Sequence, residues 1–265
     1  MNTELLRKNN IRVIGQGERI LLFVHGFGCD QRMWRRVTPA FEKVNTVVLM
    51  DLVGLGNSDL QAYHDPKYDT LHGHAQDIVT LCQAHGWRNV TLIGHSVGGT
   101  IIALAAIQQP DLFRELVMIC PSPCFLNENG YKGGFSREDI EGLLSACEDN
   151  YLDWSRMLAP VVMSNADQPE LTEELAERFC ANQPDIARHF ARVTFMADHR
   201  SDLGRIGIPT LIVQTSPDAL VPREVGAFMA DRIPSNTLKV LDASGHCPHM
   251  SAPEEVIESI QEFIR

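Results

Sequence analysis

Short runs of Val, Ile and Leu alternate along most of this chain with longer stretches in which apolar residues recur at helical spacing. That alternation restricts the fold more than any other feature. A strand that is apolar on both faces has to be covered on both sides, and helical crossovers between parallel strands do this. Strands are expected at 20–24, 46–50, 90–93, 116–120, 210–214 and 238–241, with an antiparallel edge strand at 11–14 ahead of the Gly15-Gln16-Gly17 turn. Helices are expected where Leu71, Ala75, Ile78, Val79 and Cys82 share a face, and where Val256, Ile257, Ile260 and Ile264 do so behind Ser251 as N-cap and Pro253 as helix start. The expected class is α/β: a mostly parallel sheet with helices on both faces.

One stretch breaks the pattern. Residues 121–200 hold no good strand candidate, but carry four helical patterns at 136–147, 151–162, 171–181 and 184–196, punctuated by Pro160, Pro169 and Pro184. An insertion of this size exceeds what a crossover needs. It reads as a four-helix cap at 121–200 set into one core made of 1–120 and 201–265.

A chain of 265 residues with 44% hydrophobic and 22% charged residues can bury a core of this kind. Its 34 acidic against 23 basic side chains give a formal charge of -11, which repels polyanions, so no nucleic-acid partner is expected. The opening MNTELLRKNNIRVIG lacks the apolar core and cleavage site of a secretory signal, and no run approaches the ~18 apolar residues of a membrane span. Neither export nor a membrane partner is expected. Seven cysteines, at 29, 82, 120, 124, 147, 180 and 247, are odd in number and without a CxxC pair, which suits a reducing cytoplasm.

The chemistry begins at Gly94-His95-Ser96-Val97-Gly98, between the apolar strand NVTLI and the helical run GTIIALAAIQ. A serine set between strand and helix needs small residues two positions either side, and its hydroxyl is presented at a helix N-terminus that favours negative charge. An oxyanion hole needs a second N–H aimed at the same point. His25-Gly26-Phe27-Gly28 follows another strand, so the backbone N–H groups of Phe27 and Val97 are assigned to the hole. His25 is read as structural. The match of His25 and Asp30 to an H-x4-D acyltransferase pattern is discounted because it falls on this loop.

Serine also needs a base, and the base a carboxylate. For the chain order Ser, Asp, His, the base belongs on the loop after the last strand, Asp242-Ala-Ser-Gly-His246-Cys-Pro-His249. His246 follows Gly245 directly and is chosen over His249, which is read as structural. Asp218, just after the TLIVQ strand, is the matching acid, since Pro121-Ser122-Pro123-Cys124 offers no carboxylate. His246, Cys247 and His249 raise the question of a metal, but a structural zinc uses four ligands and a catalytic one three, and no partner pair stands nearby. No metal or cofactor is expected. Asp51-Leu-Val-Gly54-Leu-Gly56-Asn-Ser58-Asp59 lacks the ending of a P-loop and is read as structural turns.

Together, the HGFG loop, the DLVGLGNSD turn, GHSVGG, the Asp218 loop and GHCPHMSAP resemble the α/β-hydrolase fold across the whole chain. More narrowly, GFGCDQRMW, PSPCFLN, YKGGF and GHCPHMS resemble the RsbQ family of bacterial stress regulators, which is related to the plant karrikin and strigolactone receptors. The resemblance implies a V-shaped cap over a small, mainly hydrophobic pocket lined by candidates Phe27, Phe125, Phe135, Trp154 and Phe195, of which about three should face the cavity. It also implies a regulatory partner, a phosphatase or sensor protein. Leu158 stands where some plant relatives carry an aromatic pocket residue.

Two functions fit these residues equally: a serine hydrolase of a small apolar ester or lactone, and a sensor in which the same triad and pocket perceive a ligand for stress signalling. A metabolic carboxylesterase or lactonase with no signalling role is the alternative, and C–C bond hydrolysis a minor one. A haloalkane dehalogenase is disfavoured because its elbow nucleophile is a carboxylate.

Overall fold

The computed structural model describes residues 3–64 and 66–265. Among these residues, seven strands form one sheet: β1 (Arg12–Ile14), β2 (Ile20–Val24), β3 (Thr46–Met50), β4 (Val90–His95), β5 (Phe113–Ile119), β6 (Thr210–Gln214) and β7 (Asn236–Val240). Their spatial order is β1-β3-β2-β4-β5-β6-β7. Only the β1–β3 pairing is antiparallel. The inner strands β4 and β6 are buried at every position, as two-sided coverage requires.

The helices are α1 (Thr3–Lys8), α2 (Leu71–His85), α3 (Val97–Gln108), α4 (Arg137–Asp149), α5 (Tyr151–Met163), α6 (Pro169–Cys180), α7 (Pro184–Phe195), α8 (Arg223–Arg232), α9 (Pro248–Ser251) and α10 (Pro253–Phe263). The run from α4 to α7 lies in sequence between the neighbouring strands β5 and β6. No helix among the described residues is long and apolar enough to cross a membrane.

Three local expectations differ from the structure. Strand β5 starts at Phe113 rather than 116, because Arg114 and Glu115 hide its beginning: Arg114 faces outward, while Glu115 is buried and accepts a bond from Thr91 Oγ1 at 2.8 Å. Strand β7 starts at 236 because a half-exposed edge strand carries Asn236, Thr237 and Lys239 among its apolar residues. Ser251 does not cap α10. It ends the short helix α9, and the N-cap is Ala252, which the following proline keeps out of the helical region, at φ -137° and ψ 55°.

Helix α6 is fastened to the loop after β2 by charge. Asp30 accepts from the backbone N–H of Arg32 at 2.7 Å and pairs with the Arg32 and Arg178 guanidiniums, at 2.7 and 3.0 Å. Arg178 also reaches Glu174 at 2.6 Å, and Asn182 Nδ2 donates to Gly28 O at 2.6 Å. Burial alone would raise the Asp30 pKa, but its arginine partners outweigh burial and lower it to about 2. The pair is fully formed above the ordinary carboxylate value near ~3.9 and is lost as pH falls through about 2. Asp30→Asn is therefore expected to cost about 2–3 kcal/mol of stability at pH 7 in urea unfolding. The gap to wild type should narrow steadily below pH ~4; a gap that stays constant down to pH ~2 would refute the assignment.

Candidate active site

Strand β4 turns into α3 through Ser96, whose φ of 54° and ψ of -124° are rarely adopted by a residue with a side chain. Such a conformation costs on the order of 1–3 kcal/mol and persists only where its surroundings impose it. A Cβ on Gly98 would lie 2.5 Å from His25 O and 2.8 Å from Val24 O, and one on Gly94 would lie 2.5 Å from Gly98 O. Only glycine permits these approaches. The Ser96 N–H donates to Ile119 O at 2.8 Å, which ties the elbow to β5.

The structure brings the three residues expected to form a triad into one hydrogen-bonded line. Asp218 stands on the loop after β6, where its Oδ1 accepts from the backbone N–H groups of Leu220 and Val221 at 2.8 and 3.1 Å. Its Oδ2 accepts from His246 Nδ1 at 2.7 Å. That bond leaves Nε2 unprotonated, and the Ser96 hydroxyl donates to it at 2.8 Å. The side chains of His246 and Asp218 are 2% and 0% exposed, so their hydrogen bond is shielded from bulk solvent. A serine in this setting can lose its proton to the imidazole as it attacks a carbonyl, while the carboxylate stabilises the imidazolium.

The loop that carries His246 is held from several sides. His95 Nε2–H donates to His246 O at 2.7 Å, the His246 N–H donates to Val162 O at the end of α5 at 2.9 Å, and Thr215 Oγ1 donates to Gly245 O at 2.6 Å. Gly245 has a φ of 84°, and a Cβ there would fall 1.9 Å from Met163 O. His95, which the sequence offered only as the variable residue of the elbow, thus helps to hold the His246 loop in place. A carbonyl within hydrogen-bonding reach of an elbow histidine is a tertiary fact that spacing does not carry.

Of Phe27 and Val97, assigned to the oxyanion hole, Val97 directly follows the serine and Phe27 lines the same cavity. Val97 opens α3, so its N–H has no intrahelical acceptor. The loop bearing Phe27 is fixed by His25, whose Nδ1–H donates to Gly26 O at 2.8 Å and whose Nε2 accepts from the Leu52 N–H at 2.9 Å. His25 therefore faces away from the serine chemistry. Asp51 has a comparable structural part, accepting from the N–H groups of Gln31 and Asn57 and from Asn10 Nδ2.

Ser96 and His246 open on a cavity walled by Phe27, Phe125, Phe195, Phe179, Leu158, Val162, Leu175 and Leu220, with Thr194, Cys29 and Cys247. Of the five expected aromatics, Phe27, Phe125 and Phe195 line it. Trp154 and Phe135 do not. Trp154 stands behind Phe27, edge-on at 5.9 Å and 88°, and Phe135 is half-exposed, 6.4 Å from Phe125. Phe179 and Leu175 were missed because on α6 they read as ordinary helix core. The space that water can occupy is about 20 Å³, room for one or two molecules. Anything larger has to displace the aromatic wall.

Behind the base, His95, Cys247 and His249 bring their nitrogen and sulfur atoms within 4.8 Å of one another, all buried. Burial pushes both imidazoles toward the neutral form, His249 to about 3, and drives the Cys247 thiol pKa up. His249 packs against Trp34 and His95 at ring distances of 4.8 and 4.3 Å. The cluster offers three donors of the kind that hold zinc, where a structural site uses four. Cys120 lies beside the triad carboxylate and forms a second such group with Asp218 and His246.

Two substitutions probe this geometry. Asp218→Asn should leave the fold intact and lower hydrolysis of a short-chain aryl ester by about 10⁴, because the imidazole loses its tautomer control. Gly245→Ala should lower the thermal midpoint and cut the same rate at least about tenfold, since the His246 loop has to move. Unchanged rates in either protein would separate this line of residues from any hydrolysis.

Comparison with known proteins agrees with the fold described above. Residues 21–259 match the alpha/beta hydrolase family. The chain is 35% identical over 258 residues to strigolactone esterase D14 of Arabidopsis thaliana, covering 97% of this chain and 96% of that protein. It is 31% identical over 250 residues to karrikin insensitive 2 receptor CA of Petunia hybrida, covering 94% and 93%. Among solved structures, the hydrolase olei00960 from Oleispira antarctica superposes with a TM-score of 0.96 at 41% identity, covering 99% of this chain and 96% of that one. With its mostly parallel sheet and its sharp strand-to-helix turn at Ser96, the chain belongs to the alpha/beta hydrolase family and is related to proteins named strigolactone esterases and karrikin insensitive 2 receptors.

Proposed function

We propose that this chain is a serine hydrolase and ligand sensor for a small hydrophobic ester or lactone. The observation that carries the reading is the unbroken hydrogen-bonded line from Asp218 through His246 to Ser96 at the floor of an apolar cavity. Ser96 Oγ forms a bond to the ester carbonyl carbon while its proton passes to His246 Nε2. The N–H groups of Phe27 and Val97 receive the negative oxygen. The C–O bond to the leaving group then breaks and His246 returns the proton to it, after which water, deprotonated by His246, releases the acid and frees the serine. Residues 121–200 serve as a cap over the core formed by 1–120 and 201–265.

A sensing role is favoured over plain metabolism by the cavity itself. With room for one or two waters, it admits a larger ligand only if wall side chains shift, among them Leu158 of α5, Phe179 of α6 and Phe195 of α7, so occupancy and the placing of these helices are linked. Among the relatives, one is named an esterase and another a receptor. The RsbQ-type reading adds a regulatory protein partner, a phosphatase or sensor, and a stress-signalling pathway in the cytoplasm, where seven free thiols would stay reduced.

Wild-type protein given a short-chain aryl ester should release the phenol with a turnover well below the about 1–10³ s⁻¹ of metabolic enzymes. Mass spectrometry should find an acyl adduct on Ser96, and Ser96→Ala should give neither signal. Hydrogen exchange across 151–195 should change on ligand binding. Fast multiple turnover with no exchange change would move the reading to a metabolic carboxylesterase or lactonase; hydrolysis by Ser96→Ala at the wild-type rate would remove the serine mechanism.

A further inference from the structure

Thr194 stands out in the cavity wall. It lies near the end of α7, is 3% exposed, and faces the same cavity as Ser96 and His246. A threonine inside a helix ordinarily bonds its hydroxyl to the carbonyl a turn earlier, which here belongs to Phe190. Thr194 Oγ1 makes no such bond, and no other partner among the described residues reaches it. Its neighbours are apolar: Phe195 packs at 6.0 Å from Phe27 and 5.1 Å from Phe125, and the rest of the wall is mostly leucine, valine and phenylalanine. A hydroxyl buried among such groups without a partner weakens the fold, whereas valine, of nearly the same shape, would fill the position without that loss. A ligand that supplies the missing bond recovers it at the moment of binding.

An ester or lactone presents acceptor oxygens and no donor, so the part of the hydroxyl it can use is the proton. The oxygens at the scissile bond are already spoken for by Ser96 and the N–H groups beside it. We propose that Thr194 donates a hydrogen bond to a further acceptor oxygen of the ligand, remote from the scissile bond. The preferred substrate is then an apolar ester or lactone that carries one additional carbonyl or ether oxygen. The inference rests on the serine-hydrolase reading for the word substrate, but the binding preference it assigns to Thr194 stands apart from turnover.

The test uses two probes of matched shape, p-nitrophenyl 4-oxopentanoate and p-nitrophenyl pentanoate. Binding of each is measured by calorimetry to Ser96→Ala and to Ser96→Ala combined with Thr194→Val, so that neither probe is consumed. The ratio of the two affinities should fall about five- to tenfold when the hydroxyl is removed, and hydration differences between the probes cancel in that comparison. In proteins that keep Ser96, the kcat/KM ratio of the two probes should change by the same factor. Thr194→Val should keep or raise the thermal midpoint. A ratio that moves less than about twofold, binding of neither probe, or a lowered midpoint revealing a protein partner for the hydroxyl would each overturn the proposal. Loss of hydrolysis with the binding preference intact would instead count against the serine mechanism alone.

Discussion

At the top of the sheet, two stretches of backbone meet with no side chain between them. The Cα of Gly98 sits so close to the carbonyls of Val24 and His25 that a methyl group could not be placed there, and Gly94 stands equally close to Gly98 O. This contact joins the end of β2 to the start of α3, and so puts the loop that carries Phe27 beside Ser96. It also sustains the strained dihedrals of the serine, because the strand and the helix on either side have no freedom to relax. The elbow, the nearness of the Phe27 loop and the place of the Ser96 hydroxyl at the cavity are thus one consequence of backbone approach.

The base arrives by a different route. His246 is far from Ser96 in sequence, and its place is set by bonds to three separate parts of the molecule: β4 through His95, the end of α5 through Val162, and the loop after β6 through Thr215 and Asp218. Its position is therefore a property of the assembled core and of α5 together. The charge cluster around Asp30 does similar work for α6, fastening it to the loop after β2. Between them the two attachments hold the aromatic wall over the serine.

What could be read from the sequence follows the range of the physics involved. Strands buried on both faces announce themselves by local composition, and the elbow by glycine spacing, because both constraints act within a few residues. Asp218 and His246 were found through chain order, each lying just past a recognisable strand. The cavity wall was less legible. Trp154 and Phe179 lie on neighbouring helices with equally apolar surroundings, and only their packing around Phe27 decides that one stands behind the wall and the other in it. His95, the Asp30–Arg178 pair and the cavity-facing Thr194 depend on tertiary neighbours that no short window of sequence contains. The start of β5 was hidden for a simpler reason: a buried Glu115 answered by Thr91 looks like loop until its partner is seen.

The insertion between β5 and β6 has an entropic side. These strands are immediate neighbours, with Leu116 opposite Thr210, yet the chain between them is about 90 residues long and contains α4 to α7. Closing a loop of that length in place of one of about a dozen residues costs only about 2 kcal/mol, because the penalty grows with the logarithm of length. The sheet can therefore accept a long excursion at this one point almost as readily as a short turn. The helices that help to wall the cavity sit where the chain can lengthen, shorten or be rebuilt while the strands keep their register, so the cavity's shape can diversify on a sheet that stays the same.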